Sequence, residues 1–163
     1  MKRKGKEEEG GRAPLVPPGE GRRGQEGHIG YLLRQAQGAF RLAGDAALAD
    51  TGLTLPQYGV LSWLVIEGAL SGAELARLSV QTPQTLDSVI KNLERNGLVA
   101  RTPDPVHGRI LRVALTEEGR RRVAAAKRRI DALERRLTAG LGPEEERAVR
   151  AWLAAVARDL LPR

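Results

Sequence analysis

Two helix starts only eleven residues apart constrain this chain more than any other feature. In Ser71-Gly72-Ala73-Glu74 the Ser hydroxyl can accept an amide of the first turn, and Glu74 can reach back to the Ser71 amide. Thr82-Pro83 repeats the signal, with Thr as cap and Pro in the first turn, where its missing N–H costs nothing. The first helix, with Leu75, Ala76 and Leu78 on its buried side, must therefore be short. Only Ser79-Val80-Gln81 separates it from the second, which carries Leu86, Val89, Ile90 and Leu93 at helical spacing and stops at Gly97.

Beyond Gly97 the period changes. Leu98–Arg101 reads as a short strand, and Thr102–Gly108, with two Pro and a Gly, reads as a loop. In Ile110–Leu115 the odd-numbered Leu111, Val113 and Leu115 alternate with Ile110, Arg112 and Ala114, which suits a hairpin strand with one covered face. Two short helices, a tight turn and a hairpin describe a winged helix-turn-helix. The expected fold is mainly α with a small β-hairpin wing. The recognition helix spans 82–96 and the wing 98–115, inside a DNA-binding domain over 53–115.

Helices flank this unit. Ile29, Leu32, Leu33, Ala36, Phe40, Ala43 and Ala47 step by three and four up to a stop at Asp50-Thr51-Gly52, and Thr54-Leu55-Pro56-Gln57 opens the next helix with a second capping box. After Thr116-Glu117-Glu118-Gly119, the residues Val123, Ala126, Ile130, Leu133 and Leu137 form a narrow seam that predicts a coiled-coil-like contact. Pro143 opens a last helix with Glu144, Glu145 and Glu146 at its positive end and a stripe of Val149, Leu153, Val156 and Leu160. Residues 28–52 and 116–163 are expected to form an N-/C-terminal helical dimerisation region. Its contacts are Ile29, Leu32, Leu33, Leu133, Leu137, Val149, Leu153, Val156 and Leu160.

Composition narrows the partners. Aromatics are only 3 % of residues, so Leu, Val, Ile and Ala must build the core, which favours helices over a β-sandwich. The net charge is +7. Residues 71–139 hold fourteen Lys and Arg against eight Asp and Glu, so six of the seven excess charges fall on the candidate motif and the helix after it. There is no Cys, which removes disulfides, thiolate catalysis and cysteine–zinc sites. No apolar stretch follows Lys2, Arg3 and Lys4 as a signal peptide requires, and no run is long enough to span a membrane. Residues 1–27, rich in Gly, Pro, Arg and Glu, are expected to be a disordered tail, solubilising rather than phosphate-binding because Glu7-Glu8-Glu9 offsets the lysines. The G-x-G-x-x-G at Gly19, Gly21 and Gly24 lacks a preceding strand and is read as chance.

A helix entering the major groove needs hydrogen-bonding side chains on its outer face. Opposite the apolar stripe of 82–96 stand Gln84, Ser88, Lys91 and Arg95, flanked by Thr82, Thr85 and Asn92. Gln suits adenine, Thr and Ser suit bases or phosphates, and Lys and Arg suit guanine or phosphate. Arg109 near the hairpin tip is either a minor-groove contact or a solvated loop residue. Arg101 and Arg112 are either phosphate contacts or strand-surface charges. Double-stranded DNA is the expected partner, with no cofactor and no metal. An enzyme is disfavoured, since His28 and His107 lie in the tail and a loop, and the adjacent Glu144, Glu145 and Glu146 do not face one another. A non-specific polyanion or RNA-binding module remains the other alternative.

Thr82-Pro83-Gln84-Thr85, Val89-Ile90, Leu93 to Val99, Arg101, Asp104-Pro105, Gly108-Arg109 and Leu115 to Gly119 together resemble the helix-and-wing signature of the MarR family of bacterial regulators. The resemblance covers about 28–161. It implies a homodimer on a pseudo-palindromic operator, a cytoplasmic repressor that is nucleoid-associated when bound, and Arg109 as a minor-groove contact. It also implies a small apolar or aromatic effector. Phe40, Tyr58 and Trp63 are the candidate ligand-binding residues, with Tyr31 and Trp152 behind them, and core packing is the alternative for each. Two positions depart from the family. His107 stands where an acidic residue often steadies the wing Arg, so a protonated imidazole would repel Arg109. Ser88 replaces a frequent Arg, and Asp87 before it must pair, with Lys91 one turn on as the partner in reach, to be tolerated near phosphates.

Overall fold

The computed structural model describes residues 16–21 and 24–161. Two compact units divide the chain, Met1–Phe40 and Arg41–Arg163. Most of the expected tail lies outside the described residues; turns occur within 18–21 and 24–27, with Gly24 N donating to Gly21 O at 2.8 Å. Helix α1 (Ile29–Leu48) begins in the first unit, where Gln35 Nε2 donates to the Tyr31 hydroxyl at 2.9 Å and the Arg34 guanidinium stands over the Tyr31 ring.

In the second unit, α1 runs into a 3-10 turn (Ala49–Thr51), followed by α2 (Leu55–Glu67), β1 (Leu70–Ser71), α3 (Gly72–Ser79), α4 (Pro83–Arg95), β2 (Val99–Pro103), β3 (Leu111–Leu115), α5 (Glu117–Thr138) and α6 (Pro143–Leu160). The caps form where the side chains dictate. Thr54 N donates to Gln57 Oε1 at 2.9 Å, and Asp45 of α1 accepts the Leu55 amide at 2.7 Å. Ser71 N donates to Glu74 Oε2 at 2.7 Å, and Thr82 Oγ1 accepts the Thr85 amide at 3.2 Å.

The wing is more than a hairpin. The antiparallel sheet has the order β1-β3-β2, with Leu70 opposite Val113 and Val99 opposite Leu115. A two-residue strand carries no readable period, so β1 is invisible to sequence patterning. On β3 the covered face is narrower than the alternation implies: Val113 is buried, Leu115 half-buried and Leu111 exposed.

The core gathers Leu48, Leu61, Leu64, Leu75, Leu86, Leu93, Val113 and Ala126 from the end of α1 and from α2, α3, α4, β3 and α5. Each fully buried Leu contributes about 1.5–3 kcal/mol. The α5 seam requires a correction. Val123, Ala126, Ile130 and Leu133 are buried within the protomer, because α5 lies against α2 and the 3-10 turn; of the seam only Leu137 faces outward. Arg122 and Arg129 reinforce that packing, through the Thr51 carbonyl at 2.8 Å and the Asp50 carboxylate.

At the junction of α4, β2 and α5 the backbones nearly touch. A Cβ on Gly119 would lie 2.0 Å from the Leu98 carbonyl oxygen, and the Thr116 amide already donates to that oxygen at 3.1 Å. Gly119→Ala is expected to cost about 1–3 kcal/mol of stability through backbone displacement. Urea denaturation checks it; an unchanged midpoint would show that the junction is slack.

Candidate nucleic-acid interface

Helix α4 presents its polar side outward because Leu86, Ile90 and Leu93 occupy the core. With 3.6 residues per turn, Gln84, Ser88 and Arg95 fall close to one ridge on the opposite side, and all three are exposed. Among the described residues, the Gln84 amide and the Arg95 guanidinium make no hydrogen bond or ion pair within the protein, so both are free for an outside partner. Ser88 Oγ donates back to the Gln84 carbonyl at 3.2 Å, leaving its lone pairs outward. Thr82 and Thr85 are exposed at the helix start and share a 2.9 Å hydroxyl contact.

Four of the ten expected contact residues are tied to amide or charged side chains inside the protein. Asn92 Oδ1 accepts from Gln57 Nε2 at 2.7 Å and from Asn96 Nδ2 at 3.0 Å, tying α4 to α2. Arg101 on β2 lies against α4, beside Asp87 at 3.3 Å and Glu94 at 3.1 Å. Arg112 on β3 binds Asp104 through Nε and the Ala69 carbonyl through Nη1 at 2.9 Å. Lys91 pairs with Asp87 at 2.7 Å, the i,i+4 partnership that makes an acidic residue on this helix tolerable.

The structure gives a role to a residue that the sequence placed only in a loop and a family signature. Asp104 is the only buried charged side chain among the described residues, 7 % exposed at the base of the wing. One oxygen accepts the amides of Val106 at 2.9 Å and His107 at 2.8 Å, and the other faces Arg112. The two Pro and the Gly of Thr102–Gly108 marked a loop, and Asp104-Pro105 belonged to the family resemblance, but only the pairing with Arg112 eight residues later shows why the acid is needed. With its base so fixed, the tip from Pro105 to Ile110 projects as an exposed loop carrying Arg109, which has no partner among the described residues. His107 joins this frame through its backbone, its carbonyl accepting the Ile110 amide at 2.7 Å.

The Arg112 guanidinium, with help from the His107 and Val106 amides, holds the Asp104 carboxyl well below the ordinary carboxylate range, at about 2. A depressed folded value stabilises the wing above the unfolded value of about 4 and withdraws that support as pH falls through the folded one. The Val106 and His107 amides are therefore expected to stay protected from exchange from neutral pH down to about 4 and to lose protection towards pH 2. Asp104→Asn should expose them at neutral pH; equal exchange in the variant and the parent chain would remove Asp104 from this role.

Of the three candidate ligand-binding residues, Tyr58 borders a cavity of about 380 Å³ between α2 and α5, with Val65, Ile66 and Val123 as apolar walls and Arg120 and Lys127 at the rim. Trp63 packs against the core, and Phe40 belongs to the first unit. The stripe of α6 is open: the helix buries none of its residues, and Val149, Trp152, Leu153 and Leu160 are exposed. Ile29 and Leu137 are exposed too, while Leu32, Leu33 and Val156 are partly covered.

A polar recognition helix seated by its neighbours, followed by a three-stranded wing with a free Arg at its tip, defines a winged helix-turn-helix protein of the DNA-binding class. The comparisons with known proteins narrow that class. The MarR family model matches residues 51–110. An HTH-type transcriptional repressor of Mycobacterium tuberculosis is 36 % identical over 131 residues, covering 80 % of this chain and 94 % of the relative. A MarR-family transcriptional regulator from Rhodococcus sp. RHA1 superposes with a TM-score of 0.72 at 33 % identity, over 79 % of this chain and 93 % of that one. CouR from Rhodococcus jostii RHA1, solved with p-coumaroyl-CoA, gives 0.76 at 31 % identity over 85 % and 97 %. CouR has also been solved as a repressor on a 23-mer DNA duplex. The chain belongs to the MarR family.

Proposed function

We propose that the protein is a sequence-specific transcriptional repressor that binds a pseudo-palindromic operator in double-stranded DNA as a homodimer, in the cytoplasm at the nucleoid, and is released by a small ligand. It binds rather than transforms its partner. The observation that carries this reading is the exposed ridge of Gln84, Ser88 and Arg95 on a helix whose other face is locked into the core. Gln84 and Arg95 supply the donor and acceptor patterns that major-groove base edges require, and Arg109 is free to reach the adjacent minor groove. The duplex-bound structure of CouR supports the same reading.

The dimer follows from what α6 leaves bare. An amphipathic helix with Val149, Trp152, Leu153 and Leu160 in solvent needs a partner for that face, and a second copy offers the same stripe. On this reading residues 28–52 and 116–163 join the subunits, and 53–115 reads DNA. Two α4 helices then enter successive major-groove segments about one helical turn apart. The cavity between α2 and α5 suits an effector with an apolar or aromatic body and an anionic end near Arg120. A ligand there lowers operator affinity by favouring a dimer with different helix spacing. The structure of CouR with p-coumaroyl-CoA is in keeping with such a ligand.

Selection of bound duplexes from a random pool is expected to return a two-fold symmetric consensus; an asymmetric or absent consensus would defeat the proposal. On that duplex, Gln84→Ala should cost about 1–3 kcal/mol and relax preference at one base pair per half-site. Arg109→Ala should instead cost most on duplexes with a narrow minor groove under the wing, relax that preference, and lower the salt slope by about one. Trp152→Glu with Leu153→Glu should give monomers in sedimentation equilibrium, and persistence of the dimer would place the interface elsewhere.

A further inference from the structure

Asp87 occupies the flank of α4 that faces the wing, about a quarter turn from Ser88 on the outward ridge. Its carboxylate is divided between two cations. Oδ1 lies 3.3 Å from Arg101 Nη2 on β2, and Oδ2 lies 2.7 Å from Lys91 Nζ one turn further along α4. Arg101 also stands 3.1 Å from Glu94 Oε2 through its Nε, so from the strand side it bridges two turns of the helix. The Arg101 side chain is 24 % exposed, whereas that of Lys91 is 65 % exposed. Lys91, followed by Arg101, keeps the Asp87 carboxyl below the ordinary carboxylate range, so the acid is charged wherever the protein meets DNA.

We propose that Asp87 is a specificity-determining residue: it withholds Lys91 from DNA phosphates and, through Arg101, fixes α4 against the wing. The inference rests on the DNA-binding reading above. Sequence-independent affinity comes from cations that neutralise phosphates and release counterions, each adding about one unit to the salt dependence. Lys91 stands beside the reading ridge, and its pairing with Asp87 removes it from that inventory. Sequence-dependent affinity comes from base contacts, which need α4 and the wing tip seated together. Arg101 joins α4 to β2, the strand that leads to that tip, with Asp87 as one of its two anchors on α4. A single carboxylate thus lowers the general affinity and supports the specific one.

The full chain and its Asp87→Asn, Lys91→Gln, Glu94→Gln and Asp87→Asn/Lys91→Gln variants would be titrated over a salt series. Two probes are used: a duplex recovered from the random-pool selection and a scrambled duplex of equal length. Asp87→Asn is expected to bind the scrambled duplex about three- to tenfold more tightly, with a salt slope steeper by about one. The ratio of selected to scrambled affinity should fall roughly tenfold. Adding Lys91→Gln should restore the original slope on the scrambled duplex. Glu94→Gln removes the same charge from the same helix but leaves Lys91 tied, and should keep the parent slope. The proposal is overturned by an unchanged slope or ratio in Asp87→Asn, or by a salt slope in Glu94→Gln as steep as that of Asp87→Asn. Thermal melts of every variant accompany the titrations, and Asp87→Ser is held to the same outcomes should the Asn variant fold poorly. A parent chain with no preference for the selected duplex would instead overturn the repressor reading, and this inference with it.

Discussion

The close approach of Gly119 to the Leu98 carbonyl is the joint on which the rest of the DNA-reading face depends. It exists because position 119 has no side chain, and two hydrogen bonds hold it shut: Thr116 N to Leu98 O, and Thr116 Oγ1 to Gly97 O at 2.7 Å. Gly97 adopts φ +68°, a left-handed turn that ends α4 and drops Leu98 and Val99 into the core. The end of the reading helix, the first residue of the wing and the first turn of the long helix α5 are thus one rigid node. Any displacement of α5 reaches α4 through backbone rather than through adaptable side chains.

A second layer of polar contacts aims what that node supports. Asn92 joins α4 to α2 through Gln57, Arg101 joins β2 to α4, and Arg112 joins β3 to the segment before α3. In each case a side chain of a residue type suited to nucleic acids is used to orient the surface. The residues left unpartnered are fewer: Gln84 and Arg95 on the helix, and Arg109 on the wing tip. Phosphate contacts position a protein and base contacts specify it, and here part of the positioning is done within the protein before DNA arrives.

Much of this was legible in the chain. The capping boxes at Thr54 and Ser71 and the Thr82-Pro83 start gave helix boundaries within a residue or two, because those signals are local and each is a hydrogen bond between near neighbours. The alternation in Ile110–Leu115 located the wing. What escaped was non-local. Strand β1 is two residues long and exists only because β3 passes beside it. Asp104 resembles any loop acid until Arg112 is known to face it. The seam of α5 was legible as a seam, but the surface it meets was not: the same spacing serves a partner subunit or the protomer's own α2, and the protomer took most of it. Arg101 shows the same limit, since nothing near it in sequence announces that its partners are on the preceding helix.

The way the wing is anchored has a consequence for how such a surface can change. Asp104 fixes the loop with two backbone amides and one strand Arg, so the fold of the tip draws on none of the side chains from Pro105 to Ile110, all of them exposed. Those side chains can be exchanged with little effect on the protein's integrity. The wing is therefore a place where groove preference can drift between related proteins while the scaffold beneath stays constant, a freedom denied to Leu98 and Val99 at the root of the same hairpin and to Gly119 in the helix that follows it.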